Sequence, residues 1–210
     1  SLTRLTKLSL MTCDLPAESL QVFQTVLKGL RSLSHLSICV WDISDFKDDQ
    51  AKQLAISISK LSNLTSLTLD LEQRFTRNGI TKESLRYLSL IFSRLTSLSE
   101  VKVKLRILPD SSPSTTASLF SSLNSLISLK KLDISIGTFM NAVEFYDPIC
   151  LGLGTLNIVN QSLRHLILRP AQYYNDANLI LLSQSLKKFT RLKHLSIVLE
   201  RYVGPAPEKT

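Results

Sequence analysis

LTSLSEVKVKLRIL, residues 95–108, begins with apolar residues three positions apart and ends in a strict alternation of apolar and charged residues. Its first nine residues fit the pattern LxxLxxLxL, which occurs seven times, at 2–10, 30–38, 61–69, 95–103, 126–134, 160–168 and 189–197. Asn160 is the one residue at these anchor positions that is not apolar. A recurring pattern of this length indicates an array built from one supersecondary unit.

Each repeat is long enough to hold a strand, a loop and a helix, because the third anchor recurs every 28 to 34 residues. The last anchors alternate with a period of two, as half-buried strands do, and apolar residues recur at helical spacing between them. Such helical sets are Leu54, Ile58 and Leu61; Leu85, Leu88, Phe92 and Leu95; and Leu179, Leu182, Leu186 and Phe189. A unit of this size must stack on its neighbours to bury its apolar face, which predicts an α/β solenoid with a parallel inner sheet and outer helices.

The first repeat carries a further motif. LSLMTCDL, residues 8–15, fits LxLxxCxL, and all seven copies keep the leucine frame. In these residues the chain resembles the leucine-rich repeat family, and its repeat length and long helices are most similar to the ribonuclease-inhibitor-like class. The resemblance implies an open horseshoe over residues 1–203, expected to be a fragment of a longer array, with a flexible tail at 204–210. Later copies depart from the Cys position of the motif, which predicts longer strands there; the residues are Trp41, Glu72, Arg106, Gly137, Ala171 and Glu200.

The charged residues of 95–108 alternate with its anchors and are predicted to face away from the core. In stacked copies, equivalent strand residues lie about 4.8 Å apart, so the register predicts neighbouring pairs of opposite charge. They are Lys104 and Asp70, Arg106 and Glu72, Lys102 and Asp133, and Glu100 and Lys131. Such lateral pairs contribute roughly 0.2–1 kcal/mol each, so we expect the stripe to be compensated internally. Alternating charge suits a protein partner better than a phosphate backbone.

Basic residues collect where each predicted helix ends, and acidic residues collect near helix starts. The basic ones, which we call the basic rim, are Lys28, Arg31, Lys60, Arg94, Lys130, Arg164, Lys187, Lys188, Arg191 and Lys193. The densest basic segment is KKFTRLK, residues 187–193. This arrangement complements the helix macrodipole, at about 0.3–1 kcal/mol for each exposed charge. The formal net charge of +8 also permits an anionic partner, so a basic rim that binds RNA or acidic tails stays an alternative.

Aromatic residues and histidines supply the remaining candidates. The loop aromatics that follow the strands, Trp41 among them, are expected to fill the core, whereas Tyr173 and Tyr174 lie in a polar loop and suit a protein contact. His165 and His194 occupy the same position of neighbouring repeats and should lie side by side on the outward face. Two imidazoles without a third ligand do not make a zinc site, so no metal or other cofactor is predicted.

Composition limits the class of protein. The chain has 210 residues, of which 44% are hydrophobic and 20% charged, a globular balance. Its three cysteines form no CxxC pair, which favours an intracellular setting, cytoplasmic or nuclear, over a disulfide framework. No apolar run approaches the roughly 18 residues that span a bilayer, so no membrane span is predicted. The motifs GxSxG, GxxxxGKS and GxGxxG do not occur, and we predict no catalytic residues.

The family resemblance implies a non-catalytic protein–protein interaction scaffold, alone or as a subunit of a larger complex. Its concave sheet face and strand-exit loops are expected to bind a protein partner. The residues assigned to partner binding are Asp70, Glu72, Lys102, Lys104, Arg106, Asp133, His165, Arg169, Tyr173, Tyr174 and His194. One alternative is nucleic-acid or ribonucleoprotein binding through the basic rim. The other is a substrate-recruiting part of a larger ubiquitin-ligase-type enzyme.

Overall fold

A computed structural model of the chain describes residues 2–12, 16–41, 46–71, 79–107, 113–138, 148–157, 159–169 and 176–198. Within these ranges, seven strands form one parallel sheet in the order of the sequence. The strands are β1 Lys7–Thr12, β2 His35–Val40, β3 Ser66–Leu71, β4 Glu100–Ile107, β5 Lys131–Thr138, β6 His165–Arg169 and β7 His194–Ile197. The predicted tail at 204–210 lies outside the described residues.

Helices connect successive strands and form a layer of their own. They are α1 Ala17–Gly29, α2 Asp48–Ile58, α3 Lys82–Arg94, α4 Pro113–Leu123, α5 Pro148–Gly154, α6 Val159–Ser162 and α7 Asp176–Leu186, with a short 3-10 helix at Leu2–Arg4. Each long helix packs on the next along the chain, from α1 to α5, and α7 packs on α5. The predicted α/β class with one parallel sheet is therefore confirmed, and the order of its elements is compatible with the predicted repeat solenoid. No helix in the described part of the chain is long and apolar enough to cross a membrane.

The third anchors of the repeats align across the whole sheet. Leu36 pairs with Leu67, Leu67 with Val101 and Val101 with Leu132, and the register continues to Leu195. These side chains point toward the helix layer and are buried in the middle of the sheet. The core is least covered at its last strand, where Leu195 is 42% exposed. The leucine frame thus becomes one continuous interior between sheet and helices.

The first two anchors of a copy form a tight turn before the strand. Leu33 N donates to Leu30 O at 3.1 Å, and Leu64 N donates to Leu61 O at 3.0 Å. The residue that follows each turn then donates its amide to the equivalent residue of the preceding copy, beginning with Ser34 N to Thr6 O and Thr65 N to Ser34 O, at 2.9 and 2.8 Å. The pattern LxxL therefore places two leucines in the core while the backbone between them satisfies its own hydrogen bonds.

The backbone of the sixth copy explains why its first anchor, Asn160, is polar. Leu163 N donates to Val159 O at 2.9 Å, so the turn here starts one residue earlier than in the other copies and forms α6. Val159 is fully buried. The core position that a first anchor fills elsewhere is thus taken by Val159, which frees Asn160 from the requirement to be apolar.

The buried side of α7 differs from the predicted one. Leu182 is buried as expected, but Leu179 is 47% exposed, and Asn178 and Ser185 are buried instead. Both polar residues contact α5: Cys150 Sγ lies 3.4 Å from Asn178 O, and Ser185 Oγ donates to Cys150 O at 3.3 Å. The side of α7 that faces α5 is thus partly polar, while Leu182 and Phe189 of the predicted apolar set are buried.

Strand lengths agree with the predicted departure from the motif in two copies. β4 and β5 each run for eight residues and include Arg106 and Gly137, whereas β2 stops just before Trp41. Glu72, Ala171 and Glu200 lie outside the described residues, so the prediction for their copies stays a prediction.

Candidate functional site

The side of the sheet that faces away from the helices carries those predicted site residues that the structure describes, and we call it the solvent face. Along each strand its side chains alternate with the buried anchors. The register aligns them in rows across the strands. One row contains His35, Ser66, Glu100, Lys131, His165 and His194; the next contains Ser37, Thr68, Lys102, Asp133, Ile167 and Ser196; the third contains Met11, Cys39, Asp70, Lys104, Ser135 and Arg169.

Asp70 and Lys104 form an ion pair at the centre of this face. The two residues are register partners, and Lys104 Nζ lies 3.4 Å from Asp70 Oδ2. Both side chains are only about one-fifth exposed, at 20% and 23%. The predicted pairing of these two residues is confirmed, and the pair is partly shielded from solvent.

Asp133 has a different partner from the one predicted. Its register neighbours are Lys102 and Ile167, yet its Oδ1 lies 3.3 Å from Arg169 Nε on β6. Ile167 offers no donor, so Arg169, two residues further along the same strand, reaches back diagonally. The adjacency of Lys102 and Asp133 is correct, but the predicted compensation of Lys102 is wrong: no ion pair of Lys102 occurs within the described residues. Because the Asp133 side chain is only 9% exposed, it requires a charged or hydrogen-bonding partner.

The other predicted charge pairs divide into two cases. Glu100 and Lys131 are register partners and both are exposed, but no ion pair joins them in the described part of the chain. Glu72, the predicted neighbour of Arg106, lies outside the described residues. Arg106 itself crosses the neighbouring strand, because a Cβ built on Gly137 would stand 3.8 Å from its Cγ and its Nε. These distances are ordinary van der Waals contacts, so the Arg106 side chain lies against β5 at Gly137.

His165 and His194 lie side by side as predicted. They are register partners, their ring centroids are 5.9 Å apart, and both are exposed. Lys131 is the next residue in the same row. Within the described residues, no three His, Cys, Asp or Glu side chains come together as a metal site would require. Tyr173 and Tyr174, the predicted aromatic contacts, lie outside the described residues.

Trp41 is the residue that the sequence reasoning placed wrongly. It is 59% exposed instead of filling the core, and Met11 on the neighbouring strand is 65% exposed. The indole Nε1 of Trp41 lies 3.0 Å from Cys39 Sγ, which holds the ring against the solvent face. The alternation itself carried the signal, since Val40 is an inward residue and the next side chain should point outward.

Two basic residues of the predicted rim are used by the fold. Lys188 Nζ donates to Gly154 O at 2.7 Å, and Arg164 Nη1 donates to Gln161 O and Ser162 O at 3.2 and 3.1 Å. These carbonyls belong to the ends of α5 and α6, where a positive charge is favourable. The predicted macrodipole role is therefore observed for these two side chains.

A polar cluster between α2 and α3 is structural. Ser84 Oγ donates to Asp48 Oδ1 at 2.6 Å, and Thr81 Oγ1 donates to the same oxygen. Thr81 also caps α3 by accepting from Ser84 N at 3.0 Å. The bond from Ser84 and then that from Thr81 hold the pKa of Asp48 below its usual value, against the smaller effect of burial. The cluster links the starts of two neighbouring helices.

No family model matches the chain, and no curated protein matches its sequence. Function is therefore inferred from the solvent face and its surroundings.

Proposed function

We propose that the chain is a non-catalytic protein-interaction scaffold of the leucine-rich repeat type that binds a protein partner through the solvent face of its sheet. The exposed pair Trp41 and Met11, beside the shielded ion pair of Asp70 and Lys104, is the observation that supports this most. Exposed tryptophan is enriched at interface hot spots. In a leucine-rich repeat horseshoe this face would be the concave one.

Charge on the face favours a protein over a phosphate backbone. Its central acidic residues, Asp70 and Asp133, each have a cationic neighbour, in Lys104 and Arg169. Lys102 and Lys131 have no ion pair within the described residues, but the register places each beside an acidic residue, Asp133 and Glu100. A nucleic acid favours cations without acidic neighbours. A protein surface can match alternating signs, and such matching gives specificity more than raw affinity. Burial of the exposed Trp41 side chain against a partner would remove its apolar surface from water, which favours binding.

Capture of the partner from native extract tests the proposal. The variant carries Lys104→Glu with Arg106→Glu, and the matched control carries Arg94→Glu with Lys130→Glu, which reverses the same charges on exposed residues away from the solvent face. Mass spectrometry identifies what co-purifies with each chain, and circular dichroism verifies that helicity is retained. We expect the first variant to lose the partner and the control to keep it. Loss in the control alone, with retention in the first variant, would move binding to the basic rim and contradict the proposal.

A further inference from the structure

A groove of about 450 Å³ lies between the C-terminal parts of α1 and α2 and the turns that follow them. It is on the helix side of the molecule, away from the solvent face. The lining residues that decide its chemistry are Lys28, Arg31, Ile56, Lys60, Leu61 and Asn63. A volume of this size is within the range of about 300–1,000 Å³ that holds ligands in proteins.

The packing of the first two helices explains the groove. α1 packs less extensively on α2 than α2 packs on α3. Gln24 Nε2 donates to Gln53 Oε1 at 3.2 Å and joins the two helices. After α1 the chain continues into Arg31, whose carbonyl accepts from Asn63 Nδ2 at 2.8 Å. This bond ties the turns together, and the space between the helix ends stays open.

The groove has positive charge that is not balanced by a carboxylate in its lining. Lys28, Arg31 and Lys60 all line it, and its lining contains no carboxylate. No hydrogen bond or ion pair of their charged groups occurs within the described residues, in contrast to Lys188 and Arg164, which bond helix carbonyls. Like charges placed together repel one another, so a bound anion would relieve that repulsion.

The groove also has an apolar component. Ile56 is 41% exposed and lines it, above the buried Leu27, Leu30 and Leu61. A phosphate or a nucleic-acid backbone would use the three cations and leave Ile56 in water. An acidic peptide with one apolar side chain would use both features, because the apolar residue can cover Ile56 while its carboxylates face the cations.

We propose that this groove is a second binding site of the chain, for an acidic peptide segment with an apolar anchor residue. It is independent of binding through the solvent face, so either proposal can fail alone. Binding combines Lys28, Arg31 and Lys60 around the carboxylates with contact of the anchor on Ile56. Hydrogen bonding from Asn63 is not required, since its amide already donates to Arg31 O.

Fluorescence anisotropy with a labelled peptide of the sequence Glu-Glu-Glu-Phe-Glu-Glu, titrated with the whole chain, tests the site. The charge variant carries Lys28→Glu, Arg31→Glu and Lys60→Glu; its control carries Arg94→Glu, Lys130→Glu and Lys193→Glu, which are equally exposed basic residues outside the groove. We expect saturable binding, weakened at least on the order of tenfold by the first triple change and unchanged by the second. No saturable binding, or equal weakening in both variants, would overturn the proposal.

A second pair of variants tests the apolar contact. Ile56→Ser removes the anchor contact in the groove, and Leu90→Ser removes an apolar side chain of similar exposure, 44% against 41%, from another helix. We expect Ile56→Ser alone to weaken the peptide, on the order of fivefold to tenfold for one buried aliphatic contact. A single-stranded oligonucleotide serves as the competing anion. If it binds with the same dependence on the three cations, and Ile56→Ser leaves peptide affinity unchanged, the groove is a general anion site and the peptide proposal is wrong.

Discussion

Gly152→Ala provides the sharpest test of the packing. Gly152 lies in α5 and is buried against Phe120 of α4, whose ring is fully buried. A Cβ built on Gly152 would stand 2.0 Å from Phe120 Cδ2 and 2.3 Å from Cε2 and Cγ. Carbon atoms in contact normally lie about 3.5–4.0 Å apart, so the ring and the helix must separate by roughly 1.5 Å or more.

The expected loss in the free energy of unfolding is the difference between two opposing effects. Overpacking of a well-packed core costs about 1–3 kcal/mol, occasionally more, and the overlap here places the cost at the upper end, about 3 kcal/mol. Replacing glycine by alanine within a helix returns about 0.5–1 kcal/mol. We therefore expect a net loss of about 2 kcal/mol, which for a chain of this size lowers Tm by roughly 4–8 °C.

Urea and thermal unfolding, followed by circular dichroism, measure this loss. The control is Gly29→Ala at the end of α1, because a Cβ built on Gly29 meets nothing within 4 Å. We expect the control to be unchanged or slightly more stable. Adding Phe120→Leu to Gly152→Ala should recover part of the loss, since the smaller side chain makes room for the new methyl group. Equal stability of Gly152→Ala and the original chain would refute the close packing of α4 on α5.

Three further predictions concern other parts of the chain. Asp48 has a lowered pKa in the folded chain, so the stability that its charge contributes is complete above its unfolded pKa and is lost as the pH falls through its folded pKa. Asp48→Asn should therefore lower the free energy of unfolding by about 1 kcal/mol near neutral pH. It should also flatten the acid side of the stability–pH profile, as measured by urea unfolding. Met11→Cys should form a disulfide with Cys39, its register partner, on mild oxidation, whereas Ser9→Cys should not; non-reducing peptide mapping distinguishes them. Trp41→Ala should weaken partner capture by about 2 kcal/mol or more without loss of stability, as measured by calorimetry with the captured partner.

The repeat pattern predicted most of the fold because each anchor has one physical task. LxxL forms a turn with both leucines inward, and the alternation after it fixes which side chains face the helices. Asn160 escaped this reasoning because the turn can start one residue earlier and place Val159 in the core. The exposure of Leu179 was not predicted, because α7 contacts α5 through the polar residues Asn178 and Ser185. A periodicity argument does not include polar contacts between distant residues.

The sequence predicted the contacts of the candidate site only where the strand register alone determines which side chains are neighbours. Register placed Asp70 beside Lys104 and His165 beside His194 correctly. It does not determine side-chain direction, so the diagonal reach of Arg169 to Asp133 was not foreseen. The groove between α1 and α2 depends on how closely two helices approach, and the sequence pattern of a single repeat carries no information on that distance.

Hydroxyl-radical footprinting of the chain, alone and with its captured partner, tests the central proposal most directly. Trp41 and Met11 report on the solvent face, and Tyr87 on α3, a half-buried residue with Lys52 Nζ 5.8 Å from its ring centre, reports on the helix layer. Binding through the solvent face predicts strong protection of Trp41 and Met11 from oxidation and no change at Tyr87. Protection of Tyr87 with unchanged oxidation of Trp41 and Met11 would contradict it.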